Sequence, residues 1–402
     1  MAIVTHGYLE GGGVASIAQW MRQQVNESDR YTADVHVLAT SRNDVRSRRI
    51  LDPRSWRTAT GPDHDSTSGL TFWGASASEI EFMRYARRRN LTEQLRSYDL
   101  VHVIAGAPAW GRPVLGIGPP VVLQIATLSS WEREADGNSA SGLRAGWRRS
   151  MTKINSSLEA PALRRADAVL VINDVMLHHV RDLGQPEVTN APPGTDTNTF
   201  FPNLEWDPTG YLLSVCRLND ARKGLVRMVE AYAQLVAAYP NAPDLVLAGI
   251  GAPSDEVLAA IGRHHLGSRV VVRQNVPLAE LPDLYRGASL FLQTSYEEGL
   301  GISLIEAMAC GIPAIATATA GTSETVANGQ TGWLIEQISD ADVASDVARK
   351  VQQALLDQST RDIATNARTL AERRFSNAAT SARFLEIYDQ LLRGRSCLTL
   401  GS

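Results

Sequence analysis

Short apolar runs alternate with longer amphipathic stretches along almost the whole chain, and this alternation narrows the possible folds more than any other feature. Runs at 2–5, 34–39, 100–104, 121–125 and 168–172 are rich in β-branched residues and bounded by turn residues, as buried strands are. Stretches 13–24, 78–97 and 176–183 between them carry helical spacing. A second series follows, with strands at 211–215, 244–248, 269–272, 290–293 and 314–316 and helices at 224–238, 279–285 and 302–309. Such succession implies an α/β protein of parallel sheets with helical crossovers.

A chain of 402 residues suits two units of this kind. Between the series, 190–210 contains Pro192, Pro193, Gly194, Pro202 and Pro208, which can continue neither a helix nor a central strand. The expected division is therefore a Rossmann-like domain over 1–195, a second over 196–376, and a terminal helix over 377–402. That helix carries Phe384, Ile387, Tyr388 and Leu391 at helical spacing and is expected to pack back on the first domain. Residues 41–74 are polar and read as loop-rich. Doubly wound sheets bind ligands at their carboxyl edges, which two facing domains would bring to one cleft.

Composition removes several function classes. With 44% apolar residues, 20% charged residues and a net charge of −4, the chain is ordinary for a globular protein and nothing points to nucleic acid. No apolar run reaches the ~18 residues of a membrane span, and residues 1–6 lack a signal-peptide pattern, so a cytoplasmic location is expected. Cys216, Cys310 and Cys397 are far apart with no C-x-x-C pair, which argues against zinc or a redox couple. Asp63-His64-Asp65 and Asp340-Ala341-Asp342 have the spacing of a carboxylate metal site. The first is expected in a loop and the second at a helix start, so no metal is expected. Arg84, Arg87, Arg88 and Arg89 read as a solvated helix face rather than a membrane-docking one. Glu132, Arg133, Glu134, Arg144, Arg148 and Arg149 read as exposed charged surface.

The richest stretch is 295–313, S-Y-E-E-G-L-G-I-S-L-I-E-A-M-A-C-G-I-P. It follows a strand, turns through Gly299 and Gly301 around Leu300, and opens a helix near Ile302. Free N–H groups and the helix dipole there favour an anion. Glu298 and Glu306 flank the turn, and carboxylates suit hydroxyl-rich ligands because each accepts several hydrogen bonds. At 217–224, R-L-N-D-A-R-K-G, Arg217 offers a bidentate fork and Lys223 a point charge to a diphosphate. Gly11-Gly12-Gly13 follows the first strand and is a further phosphate-suited turn.

The 295–313 stretch resembles the E-x7-E signature of the family 4 retaining glycosyltransferases. Residues 217–224 are similar to that family's G-R-L…K-G element, with Cys216 where the family has glycine. The resemblance is strong over 192–332 and diffuse elsewhere. It implies the GT-B fold, two facing Rossmann-like domains with the C-terminal helix crossing back. It also implies a nucleotide-diphosphate sugar donor, UDP- or GDP-linked, a small-molecule acceptor, no cofactor, no metal, and retention by front-face displacement.

By resemblance, Glu298 takes the sugar hydroxyls, Glu306 the ribose, and Arg217 and Lys223 the diphosphate. Arg217, Lys223 and Glu298 are the catalytic candidates. Gly12, Gly13, Gly299, Leu300, Gly301 and Ile302 complete the donor site, with Asn275 and Val276 at the nucleobase. The loop 321–324 is also familial, and Glu324 reads as a helix cap. Many relatives carry a histidine just after the strand at 121–125, where this chain has Ala126. His6 or Thr127 is expected to substitute, and with Trp131 these are the acceptor-side candidates. Two alternatives stay open: a nucleotide-sugar epimerase, which needs no acceptor, and a non-catalytic sugar-nucleotide-binding protein.

Overall fold

The computed structural model describes residues 1–9, 13–40, 44–58, 60–129, 131 and 143–399, with backbone alone at 143–150 and 395–399. It divides into two compact units, one of Met1–Pro193 with the chain from Thr380 onward, the other of Gly194–Ala379.

The first unit is built on β1 (Ala2–His6), β2 (Asp34–Leu38), β3 (Asp63–Asp65), β4 (Leu70–Trp73), β5 (Val101–Ala105), β6 (Val121–Ile125), β7 (Ala168–Val171) and β8 (Val188–Asn190). They form one sheet in the order β3-β4-β2-β1-β5-β6-β7-β8. All neighbours are parallel except β3 against β4. Helices α1 (Gly13–Glu27), α2 (Arg89–Leu95), α3 (Leu143–Arg165) and α4 (Asp174–Asp182) belong to it. β5 and β6 are buried at every position, which is why they read as continuous apolar runs rather than alternating ones. Ala2, Val4, Val103 and Leu123 pack into one face, and Ile3, Val35, Val37 and Val122 into the other.

The terminal helix, Asn377–Thr399, adds Phe384 and Tyr388 to the second of these faces. Each buried aromatic ring is worth roughly 1.5–3 kcal/mol of transfer energy. The Tyr388 hydroxyl lies 2.6 Å from Nδ1 of His102 and donates to Sδ of Met21 at 3.3 Å.

Two expectations fail in this unit. The polar region 41–74 contains a 3₁₀ turn, Pro53–Arg57, and the strands β3 and β4. Only Leu70 and Trp73 of β4 are strongly apolar and buried, too short a signal to stand out of a polar background. The helix expected over 78–97 is a 3₁₀ turn, Glu81–Tyr85, followed by α2. The break falls where Ala86 and Arg88 adopt extended backbone and Arg88 donates to the carbonyls of Trp73 and Arg84.

The second unit holds β9 (Tyr211–Arg217), β10 (Leu245–Ile250), β11 (Val270–Gln274), β12 (Ala288–Gln293), β13 (Ala314–Thr317) and β14 (Gly332–Ile335). They form a parallel sheet in the order β11-β10-β9-β12-β13-β14. Its helices are α5 (Leu225–Ala238), α6 (Asp255–Arg263), α7 (Leu281–Arg286), α8 (Ile302–Ala309), α9 (Thr322–Thr325), α10 (Asp340–Leu356) and α11 (Thr360–Leu370). Leu212, Leu245, Leu247 and Leu290 face one core, and Leu213, Val246, Ala248 and Phe291 the other. Because β11, β10, β9 and β12 are adjacent and parallel, the loops after these four strands emerge side by side. Among the described residues no helix is long and apolar enough to cross a membrane.

Candidate functional site

β9 ends at Arg217, and the chain turns through Ala221–Lys223 into α5. Arg217 is exposed, and among the described residues its guanidinium makes no hydrogen bond or ion pair. Arg222 behaves differently. It grips Asp220 with both Nε and Nη2, at 3.1 and 2.9 Å, and so serves the turn. Gly224 closes the turn at φ 61°, and a Cβ there would lie 2.1 Å from the Thr294 carbonyl oxygen. Only glycine permits that approach, which holds the Lys223 turn against the end of β12.

The contact places Lys223 beside the second loop. Its Nζ donates to Oε2 of Glu298 at 2.7 Å. The same oxygen accepts from Nε2 of Gln293 at 2.8 Å and Oγ of Ser295 at 3.4 Å. Glu298 is thus held by three donors through one oxygen. The turn continues to Gly301 at φ 84°, which starts α8 at Ile302, so the first N–H groups of α8 follow directly on the glycine turn. Gly321 packs against this turn so closely that a Cβ would lie 2.4 Å from the Leu300 nitrogen, and its own N–H donates to the Glu298 carbonyl at 2.9 Å. Leu300 is buried beneath.

Glu306 lies on α8 and accepts from the Tyr285 hydroxyl at 2.8 Å. Burial pushes its carboxyl up to about 7, although the tyrosine bond pulls the other way. Burial and the adjoining Glu306 carboxylate likewise drive the Tyr285 hydroxyl well above its usual range. Near the carboxyl end of β10, Gly249 approaches Cys216 so tightly that a Cβ would lie 1.8 Å from the Cys216 carbonyl oxygen. The next strand's loop supports it: Oδ1 of Asn275, a residue at φ 52°, accepts from the Gly251 N–H at 3.0 Å. Asn275 therefore spends its side chain on loop geometry, and Val276 is half-buried against the core.

Burial pushes the Cys216 and Cys310 thiols up to about 12, so both stay protonated at neutral pH. Glu324 lies in the single turn α9, and its carboxylate meets Arg374 at 3.4 Å. Asp340 is committed to Arg227 and Tyr296, and Asp342 accepts from Ser339. Asp63 pairs with Arg46, and Asp65 accepts from Ser68.

In the first unit, His6 ends β1. Its Nε2 accepts from the Gly106 N–H at 3.1 Å, which puts the imidazole proton on Nδ1, and its ring stacks on Trp110 at 4.5 Å. Burial lowers its pKa to about 4. These contacts fix its tautomer and keep it neutral. Thr127 follows β6 half-buried, its hydroxyl making, among the described residues, only a 3.4 Å bond to the Leu128 carbonyl. Trp131 packs on the core and against His179 at 5.3 Å. Gly13 opens α1 and is exposed. Gly12 lies outside the described residues, as do Glu132, Arg133, Glu134 and the side chains of Arg144, Arg148 and Arg149.

Sequence reasoning missed the residues that brace the two loops. Arg227 is 3% exposed; it donates to the Thr294 carbonyl at 2.8 Å and to Gln337 at 2.8 Å, pairs with Asp340 at 3.3 Å, and lies 3.8 Å from the Tyr296 ring centroid. A charged residue on the buried stripe of α5 was the available signal. Gln293, a polar residue ending a wholly buried strand, was the other.

Residues 196–370 match the family described as glycosyl transferases group 1. Over those residues the chain is similar to the group 1 glycosyl transferases. A D-inositol 3-phosphate glycosyltransferase 2 of Catenulispora acidiphila is 33% identical over 222 residues, covering 50% of each chain. A D-inositol 3-phosphate glycosyltransferase of Paenarthrobacter aurescens is 25% identical over 331 residues, 79% of this chain and 77% of its own. The chain spans about half the length or less of the first curated relatives it matches, at 50%, 38% and 51%. Sucrose-phosphate synthase from Thermosynechococcus elongatus superposes with TM-score 0.68 at 20% identity, over 98% of this chain and 100% of that one. Anabaena HepE in complex with UDP-glucose gives 0.68 at 18% identity, over 97% and 100%. The fold is GT-B, and the family domain coincides with the unit that carries Arg217, Lys223, Glu298 and Glu306.

Proposed function

We propose that the protein is a retaining, metal-independent glycosyltransferase that moves a sugar from a nucleotide-diphosphate sugar to a small-molecule acceptor. The observation that carries this is the ion pair of Lys223 with Glu298 beside an uncommitted Arg217, at the carboxyl ends of two adjacent parallel strands. In the reaction, the bond from the anomeric carbon to the diphosphate oxygen breaks and negative charge collects on the leaving group. Arg217 and Lys223 stabilise that charge, a contribution of roughly 3–4 kcal/mol for one well-placed donor. As the diphosphate competes for Lys223, Glu298 turns its acceptor capacity to sugar hydroxyls. Glu306 receives the ribose. The acceptor attacks from the face that the diphosphate leaves, and a phosphate oxygen takes its proton.

UDP is the first nucleotide to try, because HepE binds UDP-glucose. A cyclitol phosphate is the first acceptor, because the similar relatives are named for inositol 3-phosphate. On the first unit, Thr127 is the acceptor-side candidate whose side chain is least committed to packing.

The test is a thermal-shift series with UDP, GDP, ADP and their sugar conjugates in EDTA, on the wild type and Arg217→Ala. A ligand at 100 times its dissociation constant stabilises by about 2.7 kcal/mol. One nucleotide should stabilise the wild type and not the variant, and its sugar conjugate should then be consumed only when an acceptor is added. Consumption without acceptor would support an epimerase, and binding without turnover across acceptors a non-catalytic protein. No shift with any nucleotide would overturn the reading.

A further inference from the structure

We infer that the first unit binds a small phosphate-bearing anion in a cavity lined by Arg87, Arg112 and Arg165. The cavity holds about 200 Å³, and Tyr85, Leu115 and Pro161 supply much of the rest of its wall. The three arginines come from separate pieces of chain. Arg87 lies just before α2, Arg112 on the 3₁₀ turn Pro108–Val114, and Arg165 at the last residue of α3. Nothing local in the sequence brings them together; the fold does.

Among the described residues no carboxylate pairs with any of the three, of which Arg87 and Arg165 are exposed and Arg112 half-buried. Arg112 and Arg165 make no hydrogen bond or ion pair among the described residues, and Arg87 donates only to the Leu115 carbonyl. The neighbouring arginines are all occupied. Arg89 pairs with Glu93 at 2.9 Å, Arg84 donates to the Ser78 carbonyl at 2.9 Å, and Arg88 donates to two carbonyls. Arg165 also sits where a cation complements the helix dipole. That accounts for one of the three and leaves the convergence of Arg87 and Arg112 unexplained. Guanidinium groups offer paired N–H donors matched to phosphate oxygens, and a phosphate carrying up to two negative charges relieves the mutual repulsion of three cations. The apolar portions of Tyr85, Leu115 and Pro161 leave room for an organic substituent on the phosphate.

The cavity is not the nucleotide site, since none of its lining residues belongs to the second unit. It does adjoin a residue chain that reaches β1. The Tyr85 ring lies 4.9 Å from Trp110, which stacks on His6.

The experiment titrates inorganic phosphate and, separately, phenyl phosphate into the full chain by calorimetry, against chloride at matched ionic strength. It is run in an Arg217→Ala background, so that phosphate binding at the proposed diphosphate site does not contribute and the outcome is independent of that proposal. Saturable binding is expected, weakened at least tenfold by Arg165→Gln and by Arg112→Gln. Arg165 is exposed, so its variant keeps the test valid should Arg112→Gln fold poorly. Tighter binding of phenyl phosphate would identify a phosphate ester as the ligand class, and equal binding free phosphate. Absence of saturable binding by either probe, or equal affinity in the variants, would overturn the proposal.

Discussion

Glu306 offers a prediction whose sign and size follow from one side chain. Burial raises its carboxyl from an ordinary 4.5 to about 7, so the folded protein holds a proton there that the unfolded chain has released between those values. The unfolded state then binds fewer protons, and stability falls as pH rises from 4.5 through 7. A gap of this size corresponds to about 3 kcal/mol at pH 8 and above. The residue keeps partial contact with solvent, so that figure is a ceiling. Glu306→Gln removes the titration and keeps an acceptor for the Tyr285 hydroxyl. The variant should match the wild type in urea unfolding near pH 5 and exceed it by up to about 3 kcal/mol at pH 8.5. Donor affinity should move the other way. If Glu306 receives ribose as a carboxylate, wild-type affinity for the intact nucleotide sugar weakens as pH falls below 7, up to tenfold per unit, and the variant loses this dependence. The intact conjugate is the right probe because its diphosphate has no proton to lose near pH 7. A stability difference that stays constant from pH 5 to 8.5 would refute the argument.

Other consequences are checked more simply. Gly224→Ala puts a Cβ 2.1 Å from the Thr294 carbonyl oxygen at φ 61°, and it should cost at least about 2 kcal/mol in chemical denaturation while weakening nucleotide binding. Arg227→Met leaves the buried Thr294 carbonyl without its donor, and a loss of about 2 kcal/mol is expected, read as a lowered melting temperature. Glu298→Gln should lower kcat/KM at least a hundredfold while nucleoside diphosphate affinity is kept or rises, since its proposed ligand is the sugar and its loss frees Lys223 for the diphosphate. In the first unit, burial lowers His36 to about 4 and His102 to about 3. Both bind protons in the unfolded chain first, so stability is full above 6.5 and is lost as pH falls toward 4, by up to about 3 kcal/mol each. His102→Gln should flatten that loss in a series of melting temperatures against pH.

Legibility in this sequence followed the range over which each signal acts. The parallel strands were visible because β5, β6 and β12 are buried on both faces, so that every residue had to be apolar or paired. The glycine turn and α8 were visible because Gly301 and the two carboxylates fall within one short stretch of chain, 298–306. β4 was hidden because it has four residues in a polar surround, and its partner β3, Asp-His-Asp, looks like nothing that packs. The bracing of the site was hidden for a different reason. Glu298 is held by Lys223 from 75 residues away and by Gln293, while Arg227 ties Thr294 to Gln337 and Asp340. No spacing rule predicts such contacts, because they exist only once β9 and β12 lie side by side. What marks them in the sequence is misfit: an arginine on the buried face of α5, and a glutamine closing an apolar strand. Each carries a desolvation cost that a hydrophobic residue would avoid, so each has to be matched by partners elsewhere in the fold. Arg112 and Arg165 carry a different signal, since Arg165 is exposed and Arg112 half-buried. Among the described residues no carboxylate pairs with either, and a ligand of the opposite charge would offset their repulsion.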